Sequence, residues 1–596
     1  MPEKVNSRIN IEYLTQKLKD NSSKLTACEI KRAITVIKDI KTGASSCQKT
    51  NLPSCNIANA PSTLENGKEV SDVIAHWLKI KVASGPFDTP PTCKFRVNSL
   101  TAVPQEGKVR PCINVSRPKG FSFNDNIEYF KMEKVKMSSA RNFGYTVKMC
   151  GKNAIMRKFD LKDAYKLVPC PIKDLRLQGF KWLDKFFVET SQMFGARTAV
   201  SNFDKLGHTI VTLAKSDCDI LPELVHRHLD DVPVVGPEKS NVCQKFSESY
   251  TSVCKNLNIP IAENCPNLEK AFLNSDKGKV LGIWFDTSDL SWQLPKEKKE
   301  KTLRKIYDAK NNELISVLQM QKLMGNLNNV SMMCPFLNGF RSNINNDLGY
   351  SLKNNLDNVR ISSNSKSDLC VWAGCLLDKE LKMPIPSRLC QPTMYHKCFS
   401  SDAAGCADNA DNTVKPAVAS IGLSEEGNII FAVRRFWSKE MITVKKDCEG
   451  KRFGNKTALL EFVGILLPFL LIPEKMTNQH IVLSVDNISC HYAWDNRTMK
   501  EDVYTSILIR SLHLISNYLC TIVHVKHLPR KTSWDSHLVD RLSRDSTTQK
   551  NDEKLLESFD IPVIPKVFSD WLDSPTDDWD LSVKLLNIVK QRVIKT

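Results

Sequence analysis

Arg157-Lys-Phe-Asp-Leu-Lys-Asp-Ala-Tyr165 is the stretch on which the reading of this chain turns. Its apolar positions alternate up to Asp160, and the chain then turns through charged residues, which predicts a strand that ends in a carboxylate. A second segment, Val225-His-Arg-His-Leu-Asp-Asp-Val-Pro-Val-Val235, has two runs of period-two alternation around Asp230-Asp231, the pattern of a hairpin with carboxylates at its tip. Side by side, the two segments bring three acidic oxygen donors to one sheet end, where they repel one another unless cations sit between them. A divalent metal is the expected remedy. In isolation an Asp-Asp hairpin is more often a solvated turn, so the surrounding sequence has to decide.

The 596 residues leave room for about four domains, and 41% hydrophobic residues suit packed cores rather than disorder. An excess of 84 Lys and Arg over 66 Asp and Glu gives a net charge of +18, which points to a polyanionic partner, nucleic acid first. The 20 cysteines form no Cys-x-x-Cys pair and no zinc-like cluster, so reduced thiols in an intracellular protein, cytoplasmic or nuclear, are expected. Met1-Pro-Glu-Lys-Val-Asn-Ser-Arg8 has no apolar core of the signal-peptide kind. The longest apolar run, 459–473, contains Glu461 and Pro468 and is too short for a bilayer, so no membrane contact is expected.

Residues 1–42 read as two Lys-rich helices, with Ile9, Ile11, Leu14 and Leu18 on one face and Ile30, Ile34 and Ile37 on another. The Ser/Asn/Pro-rich stretch 42–67 reads as a linker, and 70–125 as loop-rich. Within the latter, Gly107-Lys-Val-Arg-Pro-Cys-Ile-Asn-Val115 looks like a strand that brings Lys108 and Arg110 to one side, where a triphosphate can bind; an exposed basic strand is the plainer meaning. Met193-Phe-Gly-Ala-Arg-Thr-Ala-Val-Ser-Asn-Phe203 opens on a turn and enters a helix, and Gly195 would let a backbone approach a nucleotide closely. Lys279-Val-Leu-Gly-Ile-Trp-Phe-Asp286 reads as one strand with a glycine inside, the sign of a bulge or a close approach.

From Pro295 to Asn346 the chain turns helical, starting with the basic run Lys296-Glu-Lys-Lys-Glu-Lys-Thr-Leu-Arg-Lys305. A second αβ unit begins near Tyr395, with strands at 397–401, 417–423, 429–436 and 481–485 and a helix at 457–471. Asp402, Glu461 and Asp486 lie at strand ends or on the helix, and Asp540 sits in His537-Leu-Val-Asp-Arg-Leu-Ser-Arg544. Singly, each is a cap or a surface charge. Four at positions that can converge point to a second metal site.

Phe-Asp160-Leu-Lys-Asp-Ala-Tyr165, Phe194-Gly195, Leu229-Asp230-Asp231 and Leu281-Gly282 occur in the order of reverse-transcriptase motifs A, B, C and E, and the chain resembles a retroelement polymerase. Lys108-Val-Arg110-Pro resembles the fingers motif, and Leu318-Gln-Met-Gln-Lys-Leu-Met-Gly325-Asn-Leu-Asn328 the thumb helix that tracks duplex. The second unit resembles an RNase H domain through Asp402-Ala-Ala-Gly405, Leu460-Glu461, Val485-Asp486-Asn487 and Val539-Asp540-Arg-Leu-Ser-Arg544. Arg117-Pro-Lys-Gly-Phe-Ser-Phe-Asn-Asp125 and Arg176-Leu-Gln-Gly-Phe-Lys-Trp182 look most like DIRS-type retrotransposons.

The implied fold is α+β and multidomain: a right-hand polymerase of fingers, palm and thumb, followed by an RNase H-like α/β domain. Its expected divisions are an N-terminal helical extension and linker (1–69), fingers and palm (70–294), a thumb-like helical region (295–350), a connection (351–394), the RNase H-like domain (395–545) and a C-terminal tail (546–596). Three positions depart from the family pattern. His228 stands where an aromatic usually precedes the catalytic pair, Val200 stands in place of the proline common in motif B, and the loop before Asp540 is longer than the retroviral one. The last leaves His527 and His537 both open for the mobile-histidine role. Pro233, after the catalytic turn, suits a strand with one unpaired side.

The resemblance implies an RNA-directed DNA polymerase with ribonuclease H activity that copies retroelement RNA into DNA. Asp160, Asp230 and Asp231 would hold two Mg²⁺ (or Mn²⁺) ions, and Asp402, Glu461, Asp486 and Asp540 two more. Lys108 and Arg110 would clamp phosphates, Gly195 would lie along the nucleotide, and Tyr165 has the spacing of the sugar gate that excludes a ribose 2′ hydroxyl. Lys270 is a candidate proton donor to pyrophosphate, with Lys277 and Lys279 as competitors. The implied partners are an RNA template, a DNA primer, the RNA–DNA hybrid and dNTPs; the oligomeric state stays open. The rival reading is a catalytically inactive or host-adopted nucleic-acid-binding derivative, against which all seven carboxylates are present.

Overall fold

Ile155–Asp160 is a strand, the middle one of a three-stranded antiparallel sheet with Asp231–Gly236 on one side and Phe272–Ser275 on the other. The computed structural model describes every residue except 51, 106–107, 219, 265, 378–381, 386–396, 406–414, 448, 500–501, 529–532, 545–549 and 596. It divides into two compact units, Met1–Gln293 with Lys382–Arg388, and Leu294–Leu381 with Leu389–Thr596.

In the first unit, the period-two alternation of the middle strand separates two faces. Phe159 packs on Phe246 and Tyr250 of the helix Val242–Asn256, and with Val232 and Val234 it joins Phe203, Leu206 and Ile210 of the helix Arg197–Asp217 in one core. The opposite face carries Lys158 and Asp160. A second, six-stranded sheet runs Cys55–Asn56, Arg96–Gln105, Gly179–Trp182, Lys185–Glu189, Ala83–Phe87, with Lys108–Asn114 paired to Arg96–Gln105.

Four expectations are corrected here. In the helix Ala27–Thr42 the buried residues are Ala33, Val36 and Ile40, while Ile34 is 56% exposed. These three lie at i, i+3 and i+7, and Val36 and Ile40 share one core with Phe203, Leu206 and Ile210 of Arg197–Asp217. The stretch 42–67 is no linker: Ala44, Leu52 and Thr63 are buried, and Asn59 donates to Lys181 O (2.8 Å) and accepts from Leu100 N (2.9 Å). Its Ser, Asn and Pro residues serve turns and side-chain-to-backbone bonds instead of flexibility. The region 70–125 is mostly ordered as the helix Gly67–Lys79 and three strands of the larger sheet. Finally, 279–286 is a hairpin: Lys277–Val280 pairs with Ile283–Asp286, and Leu281-Gly282 form its loop with φ of 49° and 77°. Two consecutive positive φ values are what the tightest two-residue hairpin loop needs, so the glycine serves the turn and not a bulge.

The second unit begins with the helices Lys296–Asn311, Val317–Met333, Ser342–Lys353 and Ser363–Leu377. Val317–Met333 starts in a capping box between Ser316 and Gln319. A five-stranded sheet follows, ordered Ile429–Phe436, Ala417–Ser424, Lys397–Ala403, His480–Val485, Ile522–His527; the first three strands are antiparallel and the last three parallel. The four strands and the helix read from the sequence are present, and Ile522–His527 is the strand that escaped it. Thr457–Leu471 is buried from Ala458 onward, which explains its unbroken hydrophobicity. Among the described residues no helix is long and apolar enough to cross a membrane, and every described cysteine is a free thiol. Arg510 and Asp368, both about 1% exposed, form a two-bond ion pair (2.8 and 3.3 Å) between Val503–Tyr518 and Ser363–Leu377, with the guanidinium 3.8 Å from the Trp579 ring. The chain is α+β, as expected, with helices beside antiparallel and mixed sheets in each unit.

Two candidate metal centres

The first centre grows out of strand register. Asp160 lies directly opposite Asp231 in the ladder, and Asp230 sits in the two-residue loop Leu229-Asp230, closed by His228 N to Asp231 O (2.8 Å) and Asp231 N to His228 O (3.1 Å). Leu229 takes the positive φ (56°) that this turn requires. The tip is therefore Leu229-Asp230, one residue earlier than the sequence pattern placed it. Leu161 N donates to Asp230 O (3.2 Å), which ties the tip to the end of the neighbouring strand. Beyond Asp231 the strand pairs with Ile155–Asp160 on one side, and on the other it makes the single bridge Val225–Val234, which suits Pro233.

Burial, and then the charges of Asp230 and Asp231, push the Asp160 carboxyl up to about 6; burial also raises Asp231, against the opposing pull of Lys158. An all-oxygen donor set whose carboxyls raise one another suits a hard divalent cation. Arg110, Asp160, Tyr165, Phe194, Asp230 and Lys270 line one cleft of about 820 Å³. Tyr165 is half-buried there, edge-on to Phe194 (5.2 Å) and Phe203 (5.9 Å). The side chain of Lys108 lies outside the described residues; its backbone is in the same strand as Arg110.

Gly195 follows Phe194 with φ 89°, and a Cβ there would stand 3.7 Å from Ile113 O. Its carbonyl accepts from Asn124 Nδ2 (2.9 Å), so the positive-φ turn accounts for the glycine. Of the three lysines named for proton donation, Lys277 pairs with Asp286 (3.2 Å) and Lys279 with Glu269 (3.4 Å), whereas Lys270 acts electrostatically on Asp160. His228 spends its Nδ1 on the carbonyl of Ser138 (2.9 Å) and anchors the hairpin. Arg227 does the same through a buried pair with Asp204. Lys158 was missed by sequence reasoning altogether.

The second centre is tighter. Oxygens of Asp402, Glu461 and Asp486 all lie within 4.8 Å of one another, and among the described residues this is the one such group of three; the first centre's carboxylates are more open. Asp402 lies in Lys397–Ala403, and Asp486 follows its parallel neighbour His480–Val485, in register through Ser400 and Ser484. Glu461 enters from the buried helix above the sheet. Its Oε2 is buried without a hydrogen-bond partner, and its carboxyl is pushed well above the usual range by burial and by Asp402 and Asp486. Asp402 rises to about 6 from burial, against a 2.5 Å hydrogen bond from Ser543 Oγ. An orphaned carboxylate oxygen beside two more carboxylates is what a divalent cation satisfies.

Asp540 lines the same small cavity as Asp402 and Asp486, but it stands outside the group of three and its carboxylate is paired with Arg544, which also lies 3.7 Å from Asp402. His527 Nε2 is 3.0 Å from the carbonyl oxygen of Asp486, whereas His537 is exposed on Trp534–Leu542.

No family model matches the chain, and no curated protein does. Among solved structures, foamy viral protease-reverse transcriptase in complex with double-stranded DNA is similar at 12% identity and TM-score 0.43, over 89% of this chain and 84% of that one. The same viral protein in complex with RNA/DNA hybrid matches at 13% identity and TM-score 0.43, over 90% of this chain and 65% of that one.

Proposed function

We propose that the chain is an RNA-directed DNA polymerase with a ribonuclease H centre, of retroelement type and most like DIRS elements. The observation that carries this reading is the pair of carboxylate centres, one at a sheet end beside a cleft in the first unit, the other a tight group of three in the second. Both donor sets fit Mg²⁺ or Mn²⁺.

In the first unit Asp160 and Asp230 would hold the cations, with Asp231 completing the carboxylate set. Metal bound there supplies activation of a primer 3′ hydroxyl and charge neutralisation on the triphosphate. The chain's own part is placement. Arg110, with Lys108, binds phosphate oxygens of a dNTP; Tyr165 fills the space a ribose 2′ hydroxyl needs; Lys270 gives a proton to the departing pyrophosphate.

In the second unit Asp402, Glu461 and Asp486 would hold the metal, with Asp540 at the rim, and metal there would supply a water positioned against an RNA phosphodiester; His527, whose Nε2 is 3.0 Å from the Asp486 carbonyl oxygen, would carry the proton. The +18 charge gives salt-sensitive affinity for template, primer and hybrid, and the hybrid is recognised through backbone and shape.

Primer extension on an RNA template and cleavage of a labelled RNA–DNA hybrid, run with Mg²⁺ on one purified sample, test the proposal. Both activities are expected. Tight duplex binding with neither activity would establish the non-catalytic derivative instead.

A further inference from the structure

Lys158 lies two residues before Asp160 on the same face of the strand, in the floor of the first centre, and is 5% exposed. Its Nζ donates to the carbonyl oxygens of Glu269 (3.0 Å) and Lys279 (3.1 Å) and stands 3.7 Å from Asp231 Oδ1. The register explains the third contact. Lys158 is opposite Pro233 and Asp160 opposite Asp231, so Lys158 and Asp231 are diagonal neighbours on one face of the ladder. Two carbonyls accept hydrogen bonds from the ammonium and fix its place, and the carboxylate of Asp231, at 3.7 Å, is its ion-pair partner. The two carbonyls come from the segment leading to Phe272–Ser275 and from the strand Lys277–Val280, so the same lysine joins the carboxylate sheet to the Leu281-Gly282 hairpin.

We infer that Lys158 is a built-in cation for Asp231: metal ligation at this centre falls to Asp160 and Asp230, and Asp231 is a positioning residue held by the lysine. This rests on the proposed polymerase reading and refines it. A divalent ion on the Asp231 carboxylate would bring two further positive charges against an ammonium that is buried and held by two carbonyls, and so cannot withdraw. Asp160 and Asp230 face the cleft without such a contact, and the other lysine acting on Asp160, Lys270, is exposed on the cleft side. A carboxylate committed to a fixed cation can orient the hairpin loop that bears Asp230.

The test is Mn²⁺ binding followed by electron paramagnetic resonance. It uses the full chain with the second centre disabled by Asp402→Asn and Glu461→Gln, bound to a primer–template whose primer lacks a 3′ hydroxyl. Asp160→Asn and Asp230→Asn should each weaken Mn²⁺ binding tenfold or more, and Asp231→Asn by less than threefold. Lys158→Met frees Asp231 and should tighten Mn²⁺ binding threefold or more, a gain that Asp231→Asn then cancels. Equal weakening by Asp231→Asn and Asp160→Asn overturns the inference and leaves the polymerase reading standing; that comparison needs no variant of the buried lysine, so it decides even if Lys158→Met does not fold. A parent protein that binds no Mn²⁺ at the first centre overturns both.

Discussion

Glu461→Gln should stabilise the metal-free protein and abolish hybrid cleavage together. Glu461 is 3% exposed and presses an unpartnered oxygen against Asp402 and Asp486, so above its raised pKa the folded state must hold like charges in a dry place. The sign follows from the direction of the shifts. Carboxyls whose folded pKa lies above the unfolded value add stability that is full below the unfolded pKa and is lost as pH rises through the folded one. For Asp402, 4% exposed and shifted from 3.8 to about 6, roughly two units at about 1.4 kcal/mol each make on the order of 3 kcal/mol, lost between about pH 4 and 6. Glu461, raised by burial and by Asp402 and Asp486, adds to the loss in the same direction. In EDTA, the unfolding of the second unit, followed by circular dichroism, should therefore contain a destabilising contribution that grows from pH 5 to pH 8. Mg²⁺ should restore stability at pH 8 and do little at pH 5. Replacing a carboxylate that faces two others by a neutral amide should raise metal-free stability at pH 8 by about 1.4 kcal/mol or more, one pKa unit of like-charge interaction, and shrink the Mg²⁺ effect. Loss of stability in Glu461→Gln, or a wild type indifferent to Mg²⁺ at pH 8, would refute the reasoning, because an ordinary core residue would give the first and a site without metal the second.

Asp160→Asn or Asp230→Asn should abolish primer extension and leave duplex binding intact within a few-fold in a filter-binding assay, since a ligand is lost while the basic surface remains. Asp402→Asn or Asp486→Asn should stop hybrid cleavage and spare primer extension; loss of both activities in a cooperatively folded variant would count against two separate centres. Asp368→Ala strands Arg510 in the core of the second unit and should cost about 3–5 kcal/mol in urea unfolding. Tyr165→Val should raise ribonucleotide over deoxyribonucleotide incorporation tenfold or more, about 1.4 kcal/mol of lost discrimination, in single-nucleotide extension. An unchanged ratio at a lower overall rate would make Tyr165 a packing residue on Phe194 and Phe203.

Where one local pattern determines the outcome, the sequence was legible. The alternation through Phe159 and Asp160 defines a strand whichever sheet receives it, and the apolar run after Thr457 is long enough for its helix to be recognised despite Pro468. The reading failed where a partner chosen by the fold decides. Ile34 is a better core residue than Ala33 in isolation, but Val36 and Ile40 join the core, and that turns Ala33 inward and leaves Ile34 outside. The polar stretch with Asn59 is ordered by hydrogen bonds to Lys181 and Leu100, residues about 120 and 40 positions away, and composition carries no trace of them. Gly282 reads equally as a bulge or a turn until the strands on either side are known to pair with each other.

The carboxylates of both centres were visible because acidic residues at strand ends are a local signal; the cations beside them were not. In each centre the last carboxylate in chain order has a fixed positive partner, Lys158 for Asp231 and Arg544 for Asp540. Lys158 precedes Asp160 by two residues and looks like any strand lysine, and only the ladder register sets it diagonal to Asp231. Arg544 is four residues after Asp540, and there the local pairing was open to notice, because residues four apart on a helical turn are neighbours. The consequence for chemistry is a division of labour that a count of acidic residues hides. Seven carboxylates in one chain imply a large uncompensated charge, yet Lys158 stands 3.7 Å from Asp231, and Arg544 pairs with Asp540 and stands 3.7 Å from Asp402. Metal affinity should therefore follow Asp160 and Asp230 in the first unit, and the group Asp402, Glu461 and Asp486 in the second, more closely than the number of acidic groups in either centre.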